Sequence, residues 1–383
     1  MECKKKPETI LLAICSSMFF LGFQVGGLQL MVLQISEDFA LSPSQAGILI
    51  SAQYLCTIAI PLIIGLLSDR IGKKYVLIST QILYCIGCVG VCASPSYYAL
   101  AGSTLLVGAG YGAVQAASCA VLTDVYGVRS SKYQNLAQCM FSLSAFLAPL
   151  FMQYTGLLWR SVFGVSGFGI FICSLGLLLG RYEIPNGGIS KDGRLIFQWK
   201  RQIHKQLLLL MLCMILCVGL ENGITYFSSL LFAQRNWGNV LAAYALSAFW
   251  IAVTIMRLVF SMLNADTLKL VSRLLFCLGL VLLLICQANH PFFVVVLFGI
   301  AGGCISTLGP SLIGRATMIC PSSTGIASSL MISASGIGSV IMPIIMGGMA
   351  NYFSITLSYL GIALFAFCGS LLTQKIRQKY DDT

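Results

Sequence analysis

The sequence is a succession of long apolar runs separated by short polar loops, and that pattern leaves few folds open. A helix rising 1.5 Å per residue needs about 20 apolar residues to cross a bilayer. Twelve runs of that order can be read, near 8–34, 45–67, 74–94, 97–123, 134–156, 160–180, 205–232, 239–262, 268–288, 291–314, 322–350 and 355–374. They lack period-two alternation and are too long for barrel strands, so the expected class is an all-α membrane protein. Only 9% of the residues are charged and 58% are hydrophobic. A soluble domain carries about 25% charged residues, so a cytosolic enzyme, a disordered chain and a disulfide-stapled secreted domain are all set aside.

The net charge of +11 takes its meaning from where the charges lie. With the N-terminus inside, the outer loops hold Arg160 and Arg235, and the remaining Lys and Arg fall at the inner side or at inner helix ends. Cytoplasmic loops collect basic residues, so both termini are expected in the cytoplasm of a cell that has this chain in its plasma (inner) membrane. The short loops point to a prokaryotic cell. The basic residues form no soluble face for nucleic acid. Lys4, Lys5 and Lys6 precede the first apolar run as in a signal peptide, but the run is too long for one and is read as an uncleaved helix.

The longest polar stretch runs from Arg181 to Lys205 and contains Pro185, Gly187 and Gly188, then Leu195, Ile196, Phe197, Trp199 and Ile203 among basic residues. It reads as an interfacial amphipathic helix on anionic lipid. The expected organisation is a six-helix bundle over 1–184, a cytoplasmic linker over 185–204 and a second six-helix bundle over 205–383. The halves echo each other: Phe20-Leu21-Gly22-Phe23-Gln24 aligns with Cys217-Val218-Gly219-Leu220-Glu221, and Pro149 with Pro343.

The loop after the second run reads Gly65-Leu66-Leu67-Ser68-Asp69-Arg70-Ile71-Gly72-Lys73-Lys74. Its glycines suit a tight turn and close helix approach, and Asp69 lies near the start of the third helix, where the dipole favours an acid. The loop resembles the G-x-x-x-D-R-x-G-R/K-R/K signature of the major facilitator superfamily at every defined position. That resemblance implies two pseudo-symmetric six-helix bundles and a solute site near mid-membrane. It also implies a cytoplasmic gate built on Gly65, Asp69, Arg70, Gly72, Lys73 and Lys74.

Two further patches resemble the fucose–galactose–glucose proton symporter (fucose permease) branch. One is Gly108-Ala109-Gly110-Tyr111-Gly112-Ala113-Val114-Gln115-Ala116-Ala117; the other is Gly219-Leu220-Glu221 with Phe249-Trp250 and Arg257-Leu258. The resemblance implies sugar–proton symport. The chain departs from the branch at two acids, carrying Gln29 and Leu30 near one position and Gln115 at the other. The three glycines of the first patch also look like a dinucleotide loop, but they sit inside an apolar span and read as small residues for close helix packing.

Glu221 is the outstanding polar residue, about 24 Å along the seventh helix from its inner end at 1.5 Å per residue. An acid at that depth costs at least ~2.5 kcal/mol and usually faces a cavity. It is the candidate for proton coupling or substrate binding; the structural alternative is a protonated bond between helices. Arg257 lies about 8 Å deep on the eighth helix by the same rise, which separates it from Glu221 and favours snorkelling or bracing the inner gate over a place in the substrate site. Gln24, at Glu221's depth on the symmetry-related helix, joins Gln115 and Asn222 as amides suited to solute hydroxyls, and Tyr226 and Trp250 offer flat faces for sugar rings. Amides of this kind also serve as glue between helices.

Sixteen cysteines lie nearly all within apolar runs, where a thiol behaves as a small hydrophobe. The Cys85–Cys88 pair has no second pair or nearby His to complete a metal site. No metal, cofactor or nucleophile–base pair is expected. The leading expectation is a monomeric secondary transporter for a sugar or sugar-like solute, with protons and membrane lipid as its other partners. An uncoupled facilitator, or an exporter of another metabolite or drug, is the alternative.

Overall fold

In the computed structural model, residues 7–61, 63, 64, 67, 72–126, 130–180, 205–261, 267–319 and 324–381 are described. Among them every regular element is helical. In chain order the helices are α1 (Pro7–Asp38), α2 (Pro43–Leu55, running into a 3-10 turn at Cys56–Ile58), α3 (Lys73–Ala93), α4 (Tyr97–Tyr126), α5 (Ser130–Thr155), α6 (Arg160–Leu179) and α7 (Lys205–Tyr226). They continue as α8 (Ser228–Gln234), α9 (Asn239–Ser261), α10 (Thr267–Gln287), α11 (Pro291–Ile305), α12 (Leu308–Ile319), α13 (Thr324–Tyr352) and α14 (Ile355–Asp381). Eleven spans among the described residues are long and apolar enough to cross a bilayer. The expected run 45–67 is represented by α2 and contains undescribed residues.

Two of the expected spans are broken. The run over 205–232 splits into α7 and α8 at Phe227, and the run over 291–314 splits into α11 and α12 at Ser306 and Thr307. Span-length hydropathy averages over such breaks, although Thr225, Ser228, Ser229, Ser306 and Thr307 put polar side chains there, and Pro310 has no N–H for the carbonyl of Ser306. Helix starts are more legible: Pro43 and Pro291 occupy first-turn positions where a missing N–H costs nothing. Ser42 and Gln45 cap α2 reciprocally, each accepting the other's backbone N–H.

Contacts divide the chain into two compact units, Met1–Leu28 with Ala52–Lys191 and Gln29–Ser51 with Asp192–Thr383. Each is assembled by helices whose backbones touch. In the first, α1 meets α5 at Gly22 and Gly26, where a Cβ would stand 2.1 and 2.4 Å from the carbonyl oxygens of Phe141 and Ala145. Gly108 of α4 lies on Gln53 of α2, and Gly110, on the opposite face, lies on Tyr84 of α3. The glycine patch of α4 is thus a packing device on two sides.

The second unit repeats the scheme. Gly338 of α13 lies on the carbonyl of Ile215 in α7, and Gly302 of α11 on that of Phe249 in α9, each leaving only 2.2 Å for a Cβ. The α10–α14 contact is fastened by the buried pair Ser272 and Ser370, which exchange hydroxyl hydrogen bonds with each other's carbonyls. Within this unit the α2 segment approaches α13 so closely that a Cβ on Gly47 would be 2.3 Å from the carbonyl oxygen of Pro343. Ser51 Oγ donates to the carbonyl of Val340 at 2.7 Å beside it.

Candidate functional site

In the first unit the amides form a closed pair. Gln24 and Gln53 are buried, and each side-chain NH₂ donates to the other's Oε1 at 3.2 Å. Gln53 can reach Gln24 because its own backbone is clasped by Gly108. The rings of Tyr54 and Tyr111 stand edge to face beside this layer, 6.0 Å apart. Along α4 the residues from Val107 to Val114 are buried, and Gln115 is the first polar side chain to regain an open surface.

The signature loop is described from Gly72 onward; Gly65, Asp69 and Arg70, and the 185–204 linker, lie outside the described residues. Gly72 takes φ +101° at the start of α3, a conformation that side chains resist. Lys73 then turns inward and pairs with Asp124 near the end of α4. Lys74 Nζ donates to the carbonyl of Gly180, capping the C-terminal end of α6 at 2.7 Å. The two lysines therefore have different tasks, one an ion pair and the other a helix cap.

In the second unit Glu221 is half-buried, whereas every other residue from Gly219 to Ser229 is buried. Acids within spanning helices usually face a cavity or the bundle interior rather than lipid. Asn222 and Tyr226 follow it on the buried part of α7, Tyr226 with no exposed surface. The Arg257 guanidinium lies within electrostatic reach of the Glu221 carboxyl. Counting depth along each helix separates these residues, but that count ignores helix tilt and the length of the arginine side chain. Arg257 Nε also donates to the carbonyl of Ser306 at 3.1 Å, so the arginine braces the α11–α12 break.

Trp250 is 2% exposed, and its Nε1–H donates to Gln29 Oε1 at 2.8 Å. The Gln29 amide nitrogen is buried without a hydrogen-bond partner among the described residues. At the α7–α8 break the hydroxyl of buried Tyr359 donates to the carbonyl of Ile224 at 2.6 Å, and Ser228 Oγ to that of Thr225 at 2.7 Å. Broken spanning helices expose such carbonyls and must satisfy them inside the protein.

Three features escape the sequence reading. Asp124 ends an apolar run and looks like an ordinary boundary acid, though it neutralises Lys73. Tyr359 carries only the general signal that a buried tyrosine hydroxyl needs a partner. Arg160 and Arg235 are not loose loop charges: Arg160 donates to the carbonyl of Ser94, past the C-terminal end of α3. Arg235 donates to those of Ala288 and Cys286 at the end of α10. Each lies against a neighbouring tryptophan, Trp159 or Trp237, at 4.3 and 4.9 Å from the ring centre.

With this architecture in view, the comparisons are consistent. The model of the Major Facilitator Superfamily matches residues 12–286, most of the chain, and the chain belongs to that family. The family is one of membrane transporters, not enzymes. Among curated relatives, a D-xylose transporter of Levilactobacillus brevis is 29% identical over 164 residues, covering 41% of this chain and 35% of the relative. The vacuolar basic amino acid transporter 1 of Saccharomyces cerevisiae is 29% identical over 147 residues, covering 37% and 26%. The chain thus spans roughly a quarter to a third of the curated relatives it matches first. Among solved structures, an inward-facing, occupied bacterial homologue of the human lysosomal transporter Spinster superposes with TM-score 0.81 at 15% identity, covering 98% of this chain and 97% of that one. The nucleoside transporter NupG gives 0.79 at 13% identity, covering 96% and 99%. These likenesses establish the fold.

Proposed function

We propose that this chain is a secondary transporter of a small polar solute, a sugar or sugar-like metabolite, working by alternating access of its two six-helix halves. The observation that carries the reading is Glu221, a partly exposed acid in the otherwise enclosed C-terminal part of α7 and within electrostatic reach of Arg257. A carboxyl so placed can exchange a proton with a cavity and feel the charge of the arginine, which is what coupling requires. Gln115, with open surface on α4, supplies a neutral hydrogen-bonding group suited to hydroxyls. The D-xylose transporter among the relatives supports a sugar, and the patches shared with the fucose permease branch point the same way.

A second reading, an uncoupled facilitator or exporter, is favoured by one observation. Gln29, near where the fucose permease branch carries an acid, is neutral and is held by Trp250. Uptake by the purified protein in liposomes separates the two. Labelled sugars would be offered with and without an inward proton gradient, to wild type and to Glu221→Gln. Gradient-driven accumulation lost in the variant is the result expected. Equilibration indifferent to the gradient would make the protein a facilitator, and silence towards every sugar would overturn the substrate class.

A further inference from the structure

A groove of about 330 Å³ runs between α3 and α6, on the outside of the first unit. Its floor is made by small side chains, Cys85, Cys88 and Cys92 on α3 facing Gly164 and Gly167 on α6, and exposed Val89 and Phe168 form its rims. The thiols offer little polarity to an occupant: Cys85 Sγ donates to the carbonyl of Gly167 and Cys92 Sγ to that of Arg160. Water entering such a groove would find almost no hydrogen-bonding partner. Both helices are spans, and the side chains around the groove, including Ile86 and Ile172, are exposed and apolar. Hydrocarbon is therefore the medium that meets it.

The groove also has a chemically distinct end. Cys92 lies against the first turn of α6, where Arg160 sits over the Trp159 ring. Tyr98, 84% exposed at the start of α4, belongs to the same end of the bundle, and exposed tyrosines mark the headgroup level. From Arg160 to Phe171 along α6 is about 16 Å at 1.5 Å per residue, close to half of the ~30 Å hydrocarbon core. A cation at one end and an apolar trough one leaflet long match a phosphate and the chain beneath it.

We infer that this groove is a lipid site, holding one acyl chain of a phospholipid whose phosphate pairs with Arg160, in the leaflet away from Lys73 and Lys74. The site is separate from Glu221 and does not depend on the transport reading. The test places the full chain in nanodiscs of phosphatidylethanolamine and phosphatidylglycerol doped with a lipid carrying a mid-chain diazirine, and maps the photo-crosslinks. They should concentrate on 85–92 and 163–171, above the exposed face of α14 at Leu364 and Leu371. A Cβ on Gly164 meets nothing closer than Cys92 Sγ at 3.9 Å, so Gly164→Leu can fill the groove without disturbing the helix pair. It should cut groove crosslinks several-fold, because the leucine side chain occupies the space and the packing contacts that the acyl chain would use, and leave those on α14 unchanged. Diazirine phosphatidylglycerol should also outcompete diazirine diacylglycerol. Equal labelling of α14, or indifference to Gly164→Leu, would overturn the site; equal labelling by diacylglycerol would overturn the role of Arg160.

Discussion

Lys73 and Asp124 form an ion pair that joins the first turn of α3 to the last turn of α4, with side chains only 8% and 14% exposed. Gly72 precedes the lysine with a positive φ, so the start of α3 and the C-terminal end of α4 are tied together. Removing one partner of such a pair leaves an uncompensated charge, at a cost of about 3–5 kcal/mol, whereas removing both costs much less. Asp124→Asn should therefore lower the thermal unfolding midpoint in detergent sharply, and Lys73→Met added to it should restore much of the loss. Additive losses in the double variant would show that the pair carries no coupling.

The glycines of α4 give a prediction with its own control. Gly108 and Gly102 lie on one helix, but a Cβ at Gly108 would be 1.5 Å from the carbonyl oxygen of Gln53, and one at Gly102 would meet nothing within 4 Å. Gly108→Ala must push α2 and α4 apart and loosen the Gln24–Gln53 pair, an overpacking cost of about 1–3 kcal/mol or more. Gly102→Ala should be neutral or stabilising by up to ~1 kcal/mol, since alanine is the better helix former. Unfolding midpoints of the two variants, measured side by side, decide it; equal shifts would mean that the close contact is not rigid.

This contrast also marks how far the sequence is readable. Hydropathy gives the spans because every spanning backbone must bond to itself, and the small residues of α4 announce tight packing without saying what they touch. Glu221 stands out by composition alone. Its relation to Arg257 does not, because depth counted along separate helices omits tilt and side-chain reach. The α7–α8 and α11–α12 breaks are smoothed over by span-length hydropathy; Pro310, with no N–H for the carbonyl of Ser306, marks the second, but the partners that bond the freed carbonyls, Tyr359 and Arg257, come from other helices and are not legible. The reciprocal bond between Gln24 and Gln53 requires knowing which faces of α1 and α2 meet, and periodicity in uniformly apolar helices does not specify that.

Arg235 tests whether a cation at a helix end is structural. It donates through both terminal nitrogens to Ala288 and Cys286 and lies against Trp237, so its charge sits at the negative end of α10. Such an interaction is worth about 1–2 kcal/mol when partly buried. Arg235→Gln should lose that stability. Arg235→Lys should recover only part of it, because an ammonium lacks the planar two-nitrogen fork. Full rescue by lysine, read from unfolding midpoints, would reduce the residue to a point charge.

The Trp250–Gln29 bond predicts a non-additive pair. Trp250→Phe keeps the ring but removes the Nε1–H, leaving Gln29 Oε1 without the donor that holds it beside an amide nitrogen already lacking a partner. A buried polar group stranded in this way costs about 1–3 kcal/mol, whereas replacing both partners by apolar groups of similar shape can be nearly neutral. Trp250→Phe should thus be clearly destabilised, and Gln29→Leu in the same background should bring the unfolding midpoint back towards wild type. A coupling below about 0.5 kcal/mol in this cycle would show that the hydrogen bond contributes little.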